Sequence, residues 1–259
     1  MMNYNFNNCA LTLNTTRKRA DNPVDTAVEV SRMGFTHMKP NDVILVNKNE
    51  VFHGITASPL MHFPINAALL YTDGNRLNRE TLNAIKNVHD INVYILGSSK
   101  TVSKAVERNL SDLNNVKHLD RIDGETPYEI AVNFAKYRYP KTEFGWGRNY
   151  RDGHGFTFGT LNHPMEIIAG VLFAHMGKHT PLLLTGKANI PAVVERYIKS
   201  VKPMPPKDMP RPPFMHGFLL GGTSYITHPA QMMIEDFLSI DHEMMNIEHE
   251  DNMHNMHHD

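Results

Sequence analysis

The stretch "DVILVNKNEVFHGIT", residues 42–56, begins with six residues rich in β-branched and aliphatic side chains. It ends in His-Gly followed by an apolar residue and Thr. A short apolar run without polar alternation predicts a strand buried on both faces, as in a parallel sheet. The His-Gly segment then reads as the turn at the carboxyl end of that strand, where open parallel sheets bind ligands. The same small motif returns in "DGHGFT", residues 152–157, and the two histidines lie 154 − 53 = 101 residues apart.

The flanking sequence supports a βαβ series. Upstream, "NPVDTAVEVSRMGF" (22–35) predicts a helix with Asn22 as N-cap and Pro23 at the first helical position. Downstream, a helix is expected from Thr56 to near Pro64, and "AALLYT" (67–72) and "NVYILG" (92–97) predict two further buried strands. Helices are expected over "NRETLNAIKNV" (78–88) and "TVSKAVERNLSDL" (101–113), and "VKHLDRIDG" (116–124) closes the half with a short strand-like piece. Strands alternating with helices across short turns imply right-handed crossovers and a parallel sheet.

The second half repeats the order. "ETPYEIAVNFAKY" (125–137) is its opening helix, "EFGWG" (143–147) stands in the place of "DVILV", and "DGHGFT" in that of "VFHGIT". "EIIAGVLFAHMG" (166–177) is a helix, "TPLLLTG" (180–186) a strand, "IPAVVERYIKSV" (190–201) a helix, "HGFLLGG" (216–222) a strand and "HPAQMMIEDFLS" (228–239) the closing helix. The proline-rich "KPMPPKDMPRPP" (202–213) fits neither helix interior nor central strand and is expected as an extended surface excursion. The chain divides into an N-terminal tail (1–20), a first α/β unit (21–121), a second α/β unit (122–240) and a tail rich in His, Met and acidic residues (241–259).

Composition excludes several classes of function. With 26 Lys and Arg against 27 Asp and Glu in 259 residues, there is no general electrostatic grip on nucleic acid. The single cysteine, Cys9, allows neither an intrachain disulfide nor a cysteine-based zinc site. The first residues have no basic start followed by an apolar run, and no apolar run is long enough to span a bilayer. The expectation is a cytoplasmic protein without membrane insertion.

Candidate ligand-binding residues are His53, Gly54, His154 and Gly155 in the two His-Gly motifs, and Arg148 and Arg151 in the glycine-rich "GWGRNYRDGHGFTFG" (145–159). Glycine lets a ligand approach the backbone, imidazole and guanidinium can hold an anion, and backbone N–H groups add to the cradle. The tail packs five His, four Met and six acidic residues into 19 positions. His249, His254, His257 and His258 are its candidate ligands for a divalent transition metal. No other cofactor is called for. No nucleophile elbow, P-loop or His-Glu-x-x-His occurs, so no catalytic residue is assigned.

The ordered set of motifs resembles the cell wall binding repeat 2 family of Gram-positive surface proteins. "RIDGETPYEIAVNFA" (121–135) is similar to that family's unit opening, and "RADNPVDTAVEVS" (19–31) matches it through Thr26 and Ala27. "INAALLYTDG" with "VYILGSS", and "TPLLLTGK" with "FLLGGTS", are similar to its Leu-Leu-Thr and glycine-ended strands. The resemblance covers about residues 21–240 and implies two tandem Rossmann-like or flavodoxin-like α/β units, each a parallel sheet flanked by helices. It implies non-catalytic binding of an anionic cell wall polymer. Family units commonly pack in threes about a pseudo-threefold axis. Two units leave a surface exposed, so a homo-oligomer is expected, deposited at a cell surface or as a spore coat component. The loop that holds Asp-Ala in the family holds His53-Gly54 and His154-Gly155 here. The rival readings are a small-anion-binding protein or enzyme working at the strand ends around His53 and His154, and a metal-buffering protein working through the tail.

Overall fold

The computed structural model describes residues 22–35, 39–61, 65–147, 154–174, 179–201 and 215–240. Helix α1 (Pro23–Gly34) starts as its sequence dictates: the Asn22 side chain accepts from the Asp25 backbone N–H, and Pro23 occupies the first turn. Strand β1 (Asp42–Asn47) lies at the centre of a parallel sheet between β2 (Ala68–Thr72) and β3 (Ile91–Leu96). Strand β4 (Val116–Ile122) adds to the far side of β3, giving the order β2-β1-β3-β4. The strand-like piece expected after residue 116 is therefore a full fourth strand.

Helix α2 (Val51–Ala57) follows β1 and runs into a 3-10 turn at Ser58–Met61. Helices α3 (Arg79–Lys86) and α4 (Lys104–Ser111) make the remaining crossovers. Because the middles of β1 and β3 are apolar on both sides, the sheet buries both faces. Val43, Leu45, Val93 and Ile95 pack with Val28 of α1, Ile85 of α3 and Val106 of α4. Ile44, Val46, Tyr94 and Leu96 form a second core on the opposite face.

Helix α5 (Pro127–Lys136) opens the second unit behind a full capping box made by Thr126 and Glu129. Strands β5 (Arg138–Tyr139) and β6 (Phe144–Gly145) form a small antiparallel hairpin. Then come β7 (His154–Thr160), α6 (Pro164–Gly170) with a 3-10 turn at Val171–Ala174, β8 (Leu182–Thr185), α7 (Ala192–Ser200), β9 (Met215–Leu219) and α8 (His228–Leu238). The second sheet is parallel with the order β8-β7-β9. Phe156, Phe158 and Leu183 pack against Val194 and Ile198 of α7 and Ala230 and Ile234 of α8.

Helix α5 serves both units. Its Val132 and Ala135 enter the second core, and its Ile130 and Phe134 bury against the open face of the first sheet. That face is completed by the hairpin, where the Phe144 ring stacks on Tyr94 at 3.7 Å between centroids and 3° between planes. "EFGWG" thus covers the first sheet and is not the counterpart of "DVILV".

Matching the strand-ending pairs Asn47/Thr72 and Thr160/Thr185 sets the repeat. Leu45 lies beside Leu70 and Ile95, and Phe158 lies beside Leu183 and Leu219. The offset is 158 − 45 = 113 for the central strand and 183 − 70 = 113 for its first neighbour, then 219 − 95 = 124 for the second. The growth of the offset falls between β8 and β9; the proline-rich segment 202–213 in that interval lies outside the described residues. The spacing of 101 between the His-Gly motifs is not the period of the fold.

Candidate functional site at the strand ends

In the first unit the chain order reverses between β1 and β3, which opens a crevice at their carboxyl ends. His53 is there, but inside α2 and not in a loop, with 4% of its surface exposed. Its ring sits against Gly97 at the end of β3: a Cβ built at Gly97 would lie 3.3 Å from His53 Nδ1. That nitrogen is buried without a hydrogen-bond partner. Burial pushes the imidazole below its ordinary value of 6.5, against a smaller upward pull from the Glu50 carboxylate. A buried, neutral ring in this position packs the crevice. Gly54 is also helical and faces the Tyr71 hydroxyl.

His154 and Gly155 do not occupy the equivalent place. They open β7, where His154 pairs with Met215 and Gly155 with His216, at the amino end of the sheet. The register counterparts of His53 and Gly54 are Glu166 and Ile167 in α6, 113 residues on. The expectation that the two histidines superpose is overturned. Arg148 and Arg151 lie outside the described residues, as do His249, His254, His257 and His258. Among the described residues no group of three or more His, Cys, Asp or Glu could hold a metal ion.

Several polar groups around the first crevice have partners within the protein. Asn47 donates to the Thr101 carbonyl at 2.8 Å, and the Thr72 hydroxyl donates to the Arg76 carbonyl at 2.6 Å. Lys48 meets Asp73 at 2.6 Å and Lys100 meets Glu125 at 2.6 Å. The hydrogen bond from Lys48, opposed by partial desolvation and helped by Asn78 and Arg76, holds the Asp73 carboxyl below its usual range.

Arg121, at the head of the segment that resembles the family's unit opening, reaches the same strand end. It donates to the Gly97 carbonyl at 2.8 Å and to Glu107 at 2.7 Å and 3.1 Å. Burial raises the Glu107 carboxyl, and Arg121 and Lys104 more than reverse it, leaving it below its usual range. The arginine therefore ties β4, the end of β3 and α4 together.

Sequence reasoning missed a second cluster. His118 of β4 stacks on Tyr139 of the hairpin at 3.8 Å and 8°, and the Tyr137 hydroxyl donates to Asp120 at 2.7 Å. Burial pushes the phenols of Tyr94 and Tyr137 well up. These rings come from β3, β4, the end of α5 and the hairpin, so no spacing in the chain could have joined them.

Residues 17–107 match the family model of cell wall binding domain 2 (CWB2). The resemblance read from the sequence is borne out over that segment. That segment takes in most of the first unit, including β2 and β3, which flank β1 on either side. The chain is 31% identical over 154 residues to the amidase enhancer of Bacillus subtilis (strain 168), covering 59% of this chain and 19% of that protein. It is 29% identical over 120 residues to the N-acetylmuramoyl-L-alanine amidase LytC of the same strain, covering 46% and 23%. Two solved structures share the fold, Cwp8 and Cwp6 from Clostridium difficile. Cwp8 aligns with TM-score 0.64 and 22% identity over 84% of this chain and 33% of that one. Cwp6 aligns with TM-score 0.63 and 18% identity over 88% and 33%. The chain thus spans a third or less of each relative's length.

Proposed function

We propose that this chain is a non-catalytic module that holds an anionic polymer of the cell wall and so works at the cell surface. The CWB2 match over the first unit carries the reading. The state of the strand-end crevice supports it: His53 is sealed against Gly97, and the surrounding cations are engaged by the protein's own carboxylates. A general base needs reach to a substrate proton, and a buried imidazole packed on backbone lacks it. The hydrolytic activity in the name of one Bacillus relative is not carried over, since the chain spans 23% of that protein. No described helix is long and apolar enough to cross a membrane.

The test is co-sedimentation of the purified chain with Gram-positive cell walls, intact or stripped of anionic polymer by mild acid. Binding to intact walls, lost on stripping and weakened by high salt, is the expected result. Equal binding to stripped walls, or release of soluble wall fragments by the chain alone, would overturn the reading. Arg148→Ala with Arg151→Ala tests whether those two guanidiniums supply part of the grip.

A further inference from the structure

Chain order reverses between β7 and β9 as it does between β1 and β3, so the second sheet also has a crevice at its carboxyl end. The two ends differ. In the first unit, side chains at the strand ends tie down the loops: Asn47 donates to the Thr101 carbonyl and Thr72 to the Arg76 carbonyl. The register counterparts of these residues are Thr160 and Thr185, paired at the ends of β7 and β8. Both are buried, and neither hydroxyl has a hydrogen-bond partner among the described residues. A sealed hydroxyl without a partner costs stability. The second unit thus lacks the ties that close the first crevice.

The charges differ as well. Where the first unit sets Lys48 against Asp73, the counterparts 113 residues on are Leu161 and Gly186. Where the first has the sealed ring of His53, the second has Glu166, half-buried at the start of α6. One exposed cation, Lys187, balances that carboxylate. The rest of this end is polar and uncharged. Asn162 follows β7, Asn189 follows β8, and the exposed Gly-Gly-Thr-Ser run 221–224 follows β9. The His163 ring stacks on Tyr225 at 3.7 Å between centroids, and Tyr225 packs on Gly221, where a Cβ would lie 2.4 Å from Cδ2 of the ring. The Thr227 backbone N–H donates to the Lys187 carbonyl. The three loops are therefore fastened to one another, while the strand-end hydroxyls below them stay unmet.

Amides and hydroxyls both donate and accept, and an aromatic pair adds an apolar face with polar edges. A pyranose sugar has the same two aspects, hydroxyls that donate and accept and a flat face of C–H groups. A phosphate or carboxylate calls for donors alone, and Glu166 would repel it. We infer that the carboxyl end of the second sheet is a sugar site that takes an uncharged pyranose unit of a glycan chain. Glu166, Asn162 and Asn189 bind its hydroxyls, and the His163–Tyr225 pair lies against its C–H face. The site deepens the wall-binding reading and rests on it only for the source of the sugar, the glycan of the wall.

Isothermal titration calorimetry of the full chain tests the inference, with soluble tetramers of N-acetylglucosamine and of glucose as probes. The expected result is saturable binding of at least one tetramer, unchanged between low and high salt because the sugar carries no charge. Glu166→Gln keeps the shape and removes the ionised acceptor, so affinity should fall about tenfold. Asn162→Ala, at an exposed position, should also weaken binding, which guards against a variant that fails to fold. Lys100→Gln, at the end of the first sheet, should leave the affinity as it is. Failure of both tetramers to bind, binding lost at high salt, affinity untouched by both second-unit variants, or an equal loss in Lys100→Gln would each overturn the inference. Glu166→Gln should retain the salt-sensitive binding to intact walls, so failure of the sugar site and failure of polymer binding are read separately.

Discussion

Arg121 donates to the carbonyl of Gly97 at 2.8 Å, binding the end of one strand to the body of its neighbour. The same guanidinium holds Glu107, so a single side chain closes the first unit at its carboxyl edge. Arg121→Met keeps the stem and removes every donor. The expected loss is about 2 kcal/mol, from a charge-assisted bond and an orphaned carbonyl, discounted because Glu107 is partly open to water. Chemical denaturation measures it, and Arg121→Lys should recover only part.

Gly97 itself admits no side chain. Its φ is +127°, and a Cβ there would lie 2.4 Å from Thr101 Oγ1. Gly97→Ala should cost about 1–3 kcal/mol through backbone strain and the displaced Thr101. Thermal melting reads the loss, and an unchanged midpoint would show that the turn after β3 can relax.

His53 makes stability depend on pH. Its folded-state value lies below the ordinary 6.5, so the unfolded chain binds the proton first. Stability is then full above about pH 6.5 and falls as pH drops below it, levelling once the folded ring also protonates. His53→Gln should flatten that part of the profile. Asp42 acts the other way: burial raises its carboxyl, so its contribution declines as pH rises above 3.8. Denaturation midpoints between pH 4 and 8, compared for parent and His53→Gln, separate the two groups.

Phe134 belongs by sequence to the second unit and by packing to the first. Phe134→Ala should cost about 3–5 kcal/mol, the range for emptying a large aromatic site in a close-packed interior. Both units should lose stability together, seen as one earlier melting transition by calorimetry.

The proposed metal site of the tail has a simple check. A chain ending at Ile240 should lose retention on nickel or zinc resin, while the full chain should be retained and released by a chelator. Retention of the shortened chain would place any metal affinity elsewhere.

Much of the fold was legible because its strongest signals are local. Asn22-Pro23 and Thr126-Pro127 mark helix starts through their own hydrogen bonds, and "DVILVN", "VYIL" and "LLLT" are too apolar to lie anywhere but inside a sheet. The His-Gly motifs mislead because glycine reads as a turn signal. In β7 it has another use: Gly159 is bare so that Ile167 of α6 can lie on the strand, and a Cβ there would be 2.4 Å from Ile167 Cγ1. "GFTFGT" is therefore a strand with a helix pressed on it. Likewise His53 and Gly54 look like loop residues, but they belong to a short helix held by packing. The aromatic cluster arises from residues far apart in sequence, brought together only by the sheet.

The double duty of α5 bears on how such chains can be cut and rejoined. A gene fragment ending after β4 would encode every strand of the first sheet, yet it would leave Ile44, Val46, Tyr94 and Leu96 without the cover of Ile130 and Phe134. Adding residues through Trp146 would restore that cover but expose Val132 and Ala135, which belong to the next core. Recombination at the apparent seam is thus penalised on either side. Such repeats would be gained or lost more readily with a neighbour's opening helix retained as a lid.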